Sequence, residues 1–302
     1  RMTFMYAISV VALLLMALVA SAPAHDNNQR LFTMRMQKDA AKTDKLLRLK
    51  QHSAVNVKSM GNILPYGIYW VQIQLGTPGV PLTVAIDTGS GDLLVPGAGC
   101  NGCIENITKY DPKKSSTNTF LSCNTNKANC AQCNNNQCYF SNSYETCDLK
   151  DPSKICTVTG PVYQDDCTLG GLHTPCVFGS ITFQTKDFQQ FQEIDGVMGL
   201  ASPDDIGAPS IFTNLVAQGQ LANIFSVCFN FKGGFLTIGG YEQKFYTGSI
   251  SWVPLIGYYA TPFQQIAVAG KQLGPMGYNS IILDTGTNTL LLPTQMLDAV
   301  SQ

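Results

Sequence analysis

No arginine follows Arg48, and the 302 residues include only three histidines and two tryptophans. Charged side chains make up 13% of the chain, too few for a coiled coil or a charge-extended disordered chain. His25, His52 and His173 lie far apart in sequence, so neither a histidine-based metal site nor a Ser/His triad is expected. Residues 61–302 hold ten Lys, no Arg and seventeen Asp/Glu, a net of −7. A body of that sign lacks the basic face that neutralises phosphates, which argues against nucleic acid as a partner. Only one apolar run approaches membrane length, at residues 4–20. What the chain does have is 45% hydrophobic and 10% aromatic residues, enough for a sizeable core. Its 27 Gly and 15 Pro break that apolar content into short elements.

The 17-residue run FMYAISVVALLLMALVA is followed by Ala22-Pro23-Ala24, a small-x-small cleavage pattern. It reads as a secretory signal peptide over residues 1–24, with Met2 as the expected start. Left uncleaved, it would be a membrane anchor. Eleven cysteines agree with an oxidising compartment, extracellular or in an endolysosomal or vacuolar lumen. Residues 25–60 carry eight Lys/Arg against three Asp, a net of +5. Within them Leu31, Met34, Leu46, Leu47 and Leu49 alternate with basic residues, which predicts a basic helical segment over Arg30–Met60. Beside an acidic body, such a segment is expected to act as a propeptide. Acid would protonate carboxylates of the body, weaken the ion pairs and release it.

From Tyr66 the texture becomes β-rich, as in YWVQIQLG, PLTVAID and DLLVP, and it returns after residue 166 in VFGSITFQT, FSVCFN and GFLTIGG. One helix is expected near Ser210–Gln218, ended by Gly219. Many short strands with one clear helix predict a mainly-β sandwich or barrel-like architecture. The strongest signal is an internal repeat. Residues 84–96 read VAIDTGSGDLLVP and residues 281–293 read IILDTGTNTLLLP, identical at six of thirteen positions. Two copies of one strand–turn–strand unit each place an Asp at a turn after a buried strand.

Duplicated units commonly pack about a local two-fold axis, which would bring Asp87 and Asp284 together. Two adjacent carboxyls cannot both ionise cheaply, so they would share a proton over an acidic range. The charged member can act as a general base on water while the protonated one polarises a carbonyl. Gly89 and Gly286 allow the tight turns, Thr88 and Thr285 can bond across the axis, and Ser90 and Thr287 can hold the outer carboxylate oxygens.

These residues give the chain its resemblance to the pepsin-like aspartic proteases, from about Tyr66 to the end. Asp87-Thr88-Gly89-Ser90 and Asp284-Thr285-Gly286-Thr287 match the two active-site motifs of that family. Asp195-Gly196-Val197-Met198-Gly199-Leu200 is similar to the hydrophobic-Gly segment that threads behind the first Asp loop. Phe225–Cys228, Leu236–Gly240 and Tyr246–Pro254 are similar to stretches leading into the second lobe. The resemblance implies a bilobed, mainly-β acid protease fold with catalytic Asp87 and Asp284, peptide substrates, and no cofactor or metal. It implies a monomeric endopeptidase made as a zymogen, acting through an activated water without a covalent intermediate. Tyr163 is expected as the tyrosine of a flap hairpin running to Gly171, and Leu94 stands where the family usually has Trp.

On this reading the order is signal peptide 1–24, propeptide 25–62, N-terminal catalytic lobe 63–245 and the start of a C-terminal lobe, 246–302. Only 18 residues follow Asp284, so the second lobe is expected to be incomplete in this chain. The stretch at about 100–160, rich in Asn, Ser, Lys and Cys, is expected to be a disulfide-stapled insertion resembling those of plant-type members. Cys100, Cys103, Cys123, Cys130, Cys133, Cys138, Cys147, Cys156, Cys167 and Cys176 are the expected disulfide formers, with no pairing assigned, and Cys228 is the odd thiol. The CxxC pairs Cys100/Cys103 and Cys130/Cys133 also admit a zinc reading, weakened by their 26-residue spacer. Asn106-Ile107-Thr108 is the sole N-x-S/T sequon, marking Asn106 for glycosylation. Two other functions fit parts of the chain. One is a pepsin-fold binding or inhibitor protein without catalysis, including an inactive fragment. The other is a cysteine-rich secreted adhesion module, which would leave the repeated D-T-G unexplained.

Overall fold

Two parts of the segment expected to be helical are strands instead: β1 (Phe32–Met36) and β2 (Val55–Asn62). In β2, Val57 and Ser59 are buried while Lys58 and Met60 face solvent, a period of two that no helix would give. The hydrophobic spacing near Leu46 suggests a helix, but the pairing of β2 on both edges decides its state. The computed structural model describes residues 32–36, 54–62, 67–144, 154–186, 194–203, 205–231, 233–268, 270–272 and 277–301. The expected signal peptide and most of the expected propeptide lie outside the described residues.

The remaining strands run in order: β3 (Ile68–Leu75), β4 (Val80–Asp87), β5 (Leu93–Asn101), β6 (Thr119–Phe120), β7 (Gln132–Asn134), β8 (Gln137–Tyr144), β9 (Cys156–Leu169) and β10 (Leu172–Gln184). They continue as β11 (Gly196–Gly199), β12 (Phe225–Asn230), β13 (Gly233–Ile238), β14 (Ala260–Val268), β15 (Lys271–Gln272) and β16 (Ser280–Ile282). Among the described residues the α-helices are α1 (Ile211–Ala217) and α2 (Thr294–Ser301). The expected helix after Ser210 is α1. The Ser210 hydroxyl caps it by accepting the Thr213 N–H at 3.1 Å, and Gly219 follows at φ 71°, where a side chain would be strained. The chain is mainly β.

Its residues fall into two units. One joins residues 51–242 with 284–288, and the other holds the described residues of 1–50, 243–283 and 289–302. In the larger unit a mixed sheet runs β12-β13-β2-β3-β4-β11-β5-β10-β9-β8-β7, with β6 pairing β9. Strand β3 alternates buried Val71, Ile73 and Leu75 with exposed Gln72 and Gln74, so one of its faces meets water. Strand β4 ends buried on both faces at Val84, Ala85, Ile86 and Asp87. One apolar cluster gathers Val71, Ile73, Leu82, Val84, Ile86, Met198 and Phe178, and a second gathers Leu94, Cys138, Phe140, Val162, Ile181 and Ile206. The smaller unit pairs β14 with β1, β15 and β16 and has its own cluster of Phe263, Ile266, Leu292 and Met296.

Nine of the ten cysteines expected in disulfides are disulfide-bonded. Disulfides join Cys100–Cys103, Cys123–Cys133, Cys130–Cys138 and Cys167–Cys176, and Cys156 is also disulfide-bonded. The two CxxC pairs are therefore used differently, one closed on itself and the other split between two bridges. Cys147 lies outside the described residues, and Cys228 in β12 remains a thiol.

Candidate active site

Asp87 sits where a buried strand must turn. Strand β11 pairs parallel with β4, Gly199 opposite Asp87, and antiparallel with β5, Met198 opposite Leu93. It is wedged between the strands that enter and leave the Asp87 turn. That wedge requires glycine at both ends of β11. A side chain on Gly196 would strike the Leu94 carbonyl, and one on Gly199 would strike the backbone of Gly91 and Asp92. Three bonds then lock the turn: Leu200 N–H to Asp87 C=O at 2.8 Å, Ala201 N–H to Ser90 C=O at 3.0 Å, and Gly199 N–H to Asp92 C=O at 2.9 Å.

The two D-T-G turns lie in the same unit and hold each other reciprocally. The Thr88 N–H donates to the Thr285 hydroxyl at 3.1 Å, and the Thr285 N–H donates to the Thr88 hydroxyl at 3.0 Å. The Thr285 hydroxyl in turn donates to the Ile86 carbonyl at 2.6 Å. Each carboxylate receives the same two donors. Asp87 takes the Gly89 N–H on Oδ1 at 2.8 Å and the Ser90 hydroxyl on Oδ2 at 2.5 Å. Asp284 takes the Gly286 N–H on Oδ1 at 2.8 Å and the Thr287 hydroxyl on Oδ2 at 2.5 Å. Each motif's glycine also faces the opposite carboxylate. A β-carbon on Gly89 would lie 2.5 Å from Asp284 Cγ, and one on Gly286 would lie 2.7 Å from Asp87 Cγ. All eight motif residues named from sequence are brought together here.

Asp87 is 8% exposed. Burial pushes its carboxyl up to about 6, the Asp284 charge pushes the same way, and the bonds from Ser90 and Gly89 oppose the rise. One carboxyl of the pair thus keeps a proton well above the ordinary carboxylate range. A pKa raised in the folded state means that folding binds this proton more tightly than the unfolded chain does. The stability it contributes is full below the unfolded value near 4 and is lost as pH rises through about 6. Asp87→Asn removes that loss. Relative to wild type, this variant should gain on the order of 2 kcal/mol of stability between pH 3.5 and pH 7, since each tenfold difference in proton affinity is worth about 1.4 kcal/mol. Urea unfolding at the two pH values measures it, and a stability difference independent of pH would contradict it.

Tyr163 is not at a hairpin turn. It lies mid-strand in β9, opposite Phe178 of β10 and Phe120 of β6, and its ring packs 6.3 Å from Tyr110 and 6.2 Å from Phe178. The hairpin from Tyr163 to Gly171 does form, with Gly170 and Gly171 at its tip. That tip is tied into the sheet, Leu169 opposite Ile73 and Cys167 opposite Leu75. A strand end paired in this way is held, and Tyr163 is half-buried, packed against the first apolar cluster. Leu94 is buried in the second apolar cluster. Asn106 is exposed in a turn whose backbone is held by the Thr108 N–H donating to Asp195 Oδ1 at 3.0 Å. Asp195 also accepts the Thr83 N–H at 2.7 Å and hydroxyl at 2.8 Å, tying the start of β11 to β4. Sequence reasoning missed Asp92 and Asn142, a buried pair beside the Asp87 turn. The available signal was a polar residue on the inward row Cys138, Phe140, Asn142 of an alternating strand. Among the described residues no group of three or more His, Cys, Asp or Glu is placed to hold a metal. No helix among them is long and apolar enough to cross a membrane.

Comparison with known proteins points the same way as this geometry. The family described as eukaryotic aspartyl protease matches residues 68–126 and 122–302. Pepsin A of Sus scrofa is 30% identical over 239 residues, covering 76% of this chain and 56% of that protein. Chymosin of Camelus dromedarius is 32% identical over 239 residues, covering 75% and 55%. Pepsin A of Suncus murinus is 28% identical over 239 residues, covering 76% and 56%. The chain spans a little over half the length of these relatives.

Proposed function

Since the chain belongs to the eukaryotic aspartyl protease family, we propose that the complete protein is an aspartic endopeptidase that hydrolyses peptide bonds at acidic pH. The observation that carries this reading is the reciprocal pair Asp87 and Asp284, each carboxylate held by one glycine N–H and one hydroxyl. With one proton shared between them, the ionised carboxylate takes a proton from a water while the protonated one gives its proton to the peptide carbonyl oxygen. The water oxygen bonds to the carbonyl carbon and a gem-diol results. The pair then gives its proton to the nitrogen, the C–N bond breaks with the amine leaving, and a hydroxyl of the gem-diol returns a proton to the pair as the carbonyl of the new carboxyl group forms. Which carboxyl plays which part is a property of the coupled pair. The test is peptide release from a general protein substrate by the complete, processed protein between pH 3 and 7. Activity confined to acid supports the reading, and no release at any pH overturns it.

Entry to the secretory pathway, removal of residues 1–24, a glycan on Asn106 and an extracellular or endolysosomal destination complete the proposal. So does a zymogen whose basic segment is shed in acid. Strand β2 pairs with both β3 and β13, with Met60 opposite Trp70 and Leu236 opposite Val57. Cutting within it would strip a strand from the middle of the sheet. Acid processing should therefore leave a new N-terminus between about Gln51 and Val55, ahead of the residue-62 boundary expected from the sequence. Mass spectrometry of the acid-treated complete protein decides it. A mature terminus retained at His25 would refute the propeptide.

A further inference from the structure

Asp92 and Asn142 are 2% and 4% exposed, and neither has a part in the chemistry above. Asp92 stands two residues after Ser90. Its Oδ2 accepts the Asn142 side-chain N–H at 2.8 Å and the Ile206 backbone N–H at 3.2 Å, and its main-chain carbonyl accepts the Gly199 N–H. Both side chains are buried, and Ile206, whose N–H reaches Asp92, belongs to a buried apolar cluster. A carboxylate there costs desolvation that a leucine would not. What it supplies is a fixed point, because one oxygen is held by donors from two separate segments, β8 and the loop at Ile206. We propose that Asp92 is a positioning residue that fixes the Ser90–Asp92 turn through Asn142 and Ile206, and so sets the hydrogen bond by which Ser90 holds Asp87.

This inference rests on the aspartic protease reading for its effect on turnover, though not for its effect on Asp87. The Ser90 hydroxyl reaches Asp87 Oδ2 at 2.5 Å, with the Ser90 carbonyl pinned by Ala201. Losing the clamp at residue 92 lets the turn shift, lengthens the Ser90 bond and weakens its support of the ionised form. The cleanest variant is Asn142→Leu, which removes the donor and leaves the Asp92 side chain itself unchanged. Its partner is the reciprocal swap Asp92→Asn with Asn142→Asp. There the new amide accepts from Ile206 through its oxygen and donates to the new carboxylate through its NH2, so both links are re-made on two atoms in place of the single oxygen that holds them in the wild type.

Two readouts separate the inference from the function. In the 302-residue chain, the pH dependence of the stability gained by Asp87→Asn reports the titration of Asp87. The midpoint of that gain should move upward by about half a pH unit or more in the Asn142→Leu background and return in the swap. In the complete protein, Asn142→Leu should lower kcat about tenfold with KM within twofold, and the swap should recover kcat to within about threefold. If Asn142→Leu lowers only the melting temperature and leaves both the Asp87 midpoint and kcat unchanged, the pair is merely structural and the inference is overturned. A complete protein that is inactive in wild-type form would sink the protease reading, while the Asp87 midpoint would still decide the role of Asp92.

Discussion

Asp87→Asn and Asp284→Asn should each lower proteolysis by the complete protein by ~10³-fold or more, while the fold is retained. Asn is nearly isosteric with Asp: its amide oxygen can still accept from Gly89 or Gly286, while its NH2 takes the place of the second oxygen and donates to the Ser90 or Thr287 hydroxyl, which turns to accept. It cannot carry the negative charge that takes a proton from water, nor hold the acid proton that polarises the substrate carbonyl. Because the two carboxyls work as one unit, removing either should cost about as much as removing both. The double variant is the internal control. The repulsion between the two charges disappears in both single variants, so neither should be less stable than wild type at neutral pH. Peptide release and thermal unfolding, measured side by side on the complete protein, check both halves. Wild-type activity in either variant would exclude the dyad mechanism.

The paired carboxylates were legible in the sequence because their motif is written twice. The shared D-T-G inside matching apolar frames marked Asp87 and Asp284, and the crossed threonine bonds follow from that symmetry. The α1 helix was legible for a local reason, a serine cap and a terminal glycine. Strand β2 was not, because its state is set by Trp70 and Leu236, partners up to 180 residues away. Tyr163 misled for a related reason. A tyrosine near a Gly-Gly turn resembles a flap residue until the register shows it opposite Phe178, seven positions before Gly170 at that tip. Disulfide pairing was beyond reach, since ten cysteines can pair in many ways and the count says nothing of which sulfurs meet. Asp92 was hidden by its neighbours: a carboxylate after Gly91 in a turn reads as solvent-facing, and only the Asn142 side chain arriving from β8 shows that it is buried.

Alanine at Gly286 or Gly89 should separate activity from stability, and Gly199→Ala should not. None of these glycines has a positive φ, so the effect of alanine is steric rather than conformational. At Gly286 the new methyl would lie 2.7 Å from Asp87 Cγ and closer still to its Oδ1; at Gly89 it would lie 2.5 Å from Asp284 Cγ and Oδ2. What it strikes in each case is a side chain, and the carboxylate can turn about its own bonds to escape. The chain stays folded at a cost of about 1–3 kcal/mol for overpacking. The escaping carboxylate, however, leaves its Ser90 or Thr287 partner and its place beside the opposite acid. Turnover should therefore fall about 10²- to 10³-fold, as expected when a reacting group is misplaced by an ångström. At Gly199 the methyl strikes main-chain atoms instead, the Asp92 nitrogen at 2.5 Å and the Ser90 carbonyl oxygen at 2.6 Å, and backbone has no rotamer to move to. Strand β11 must then withdraw from between β4 and β5, so stability and activity fall together. Paired measurements of kcat and unfolding midpoint on the complete protein test the contrast. Equal stability losses at Gly286 and Gly199 would show that the two D-T-G turns are as rigid as the strand behind them, and that the carboxylates cannot turn aside.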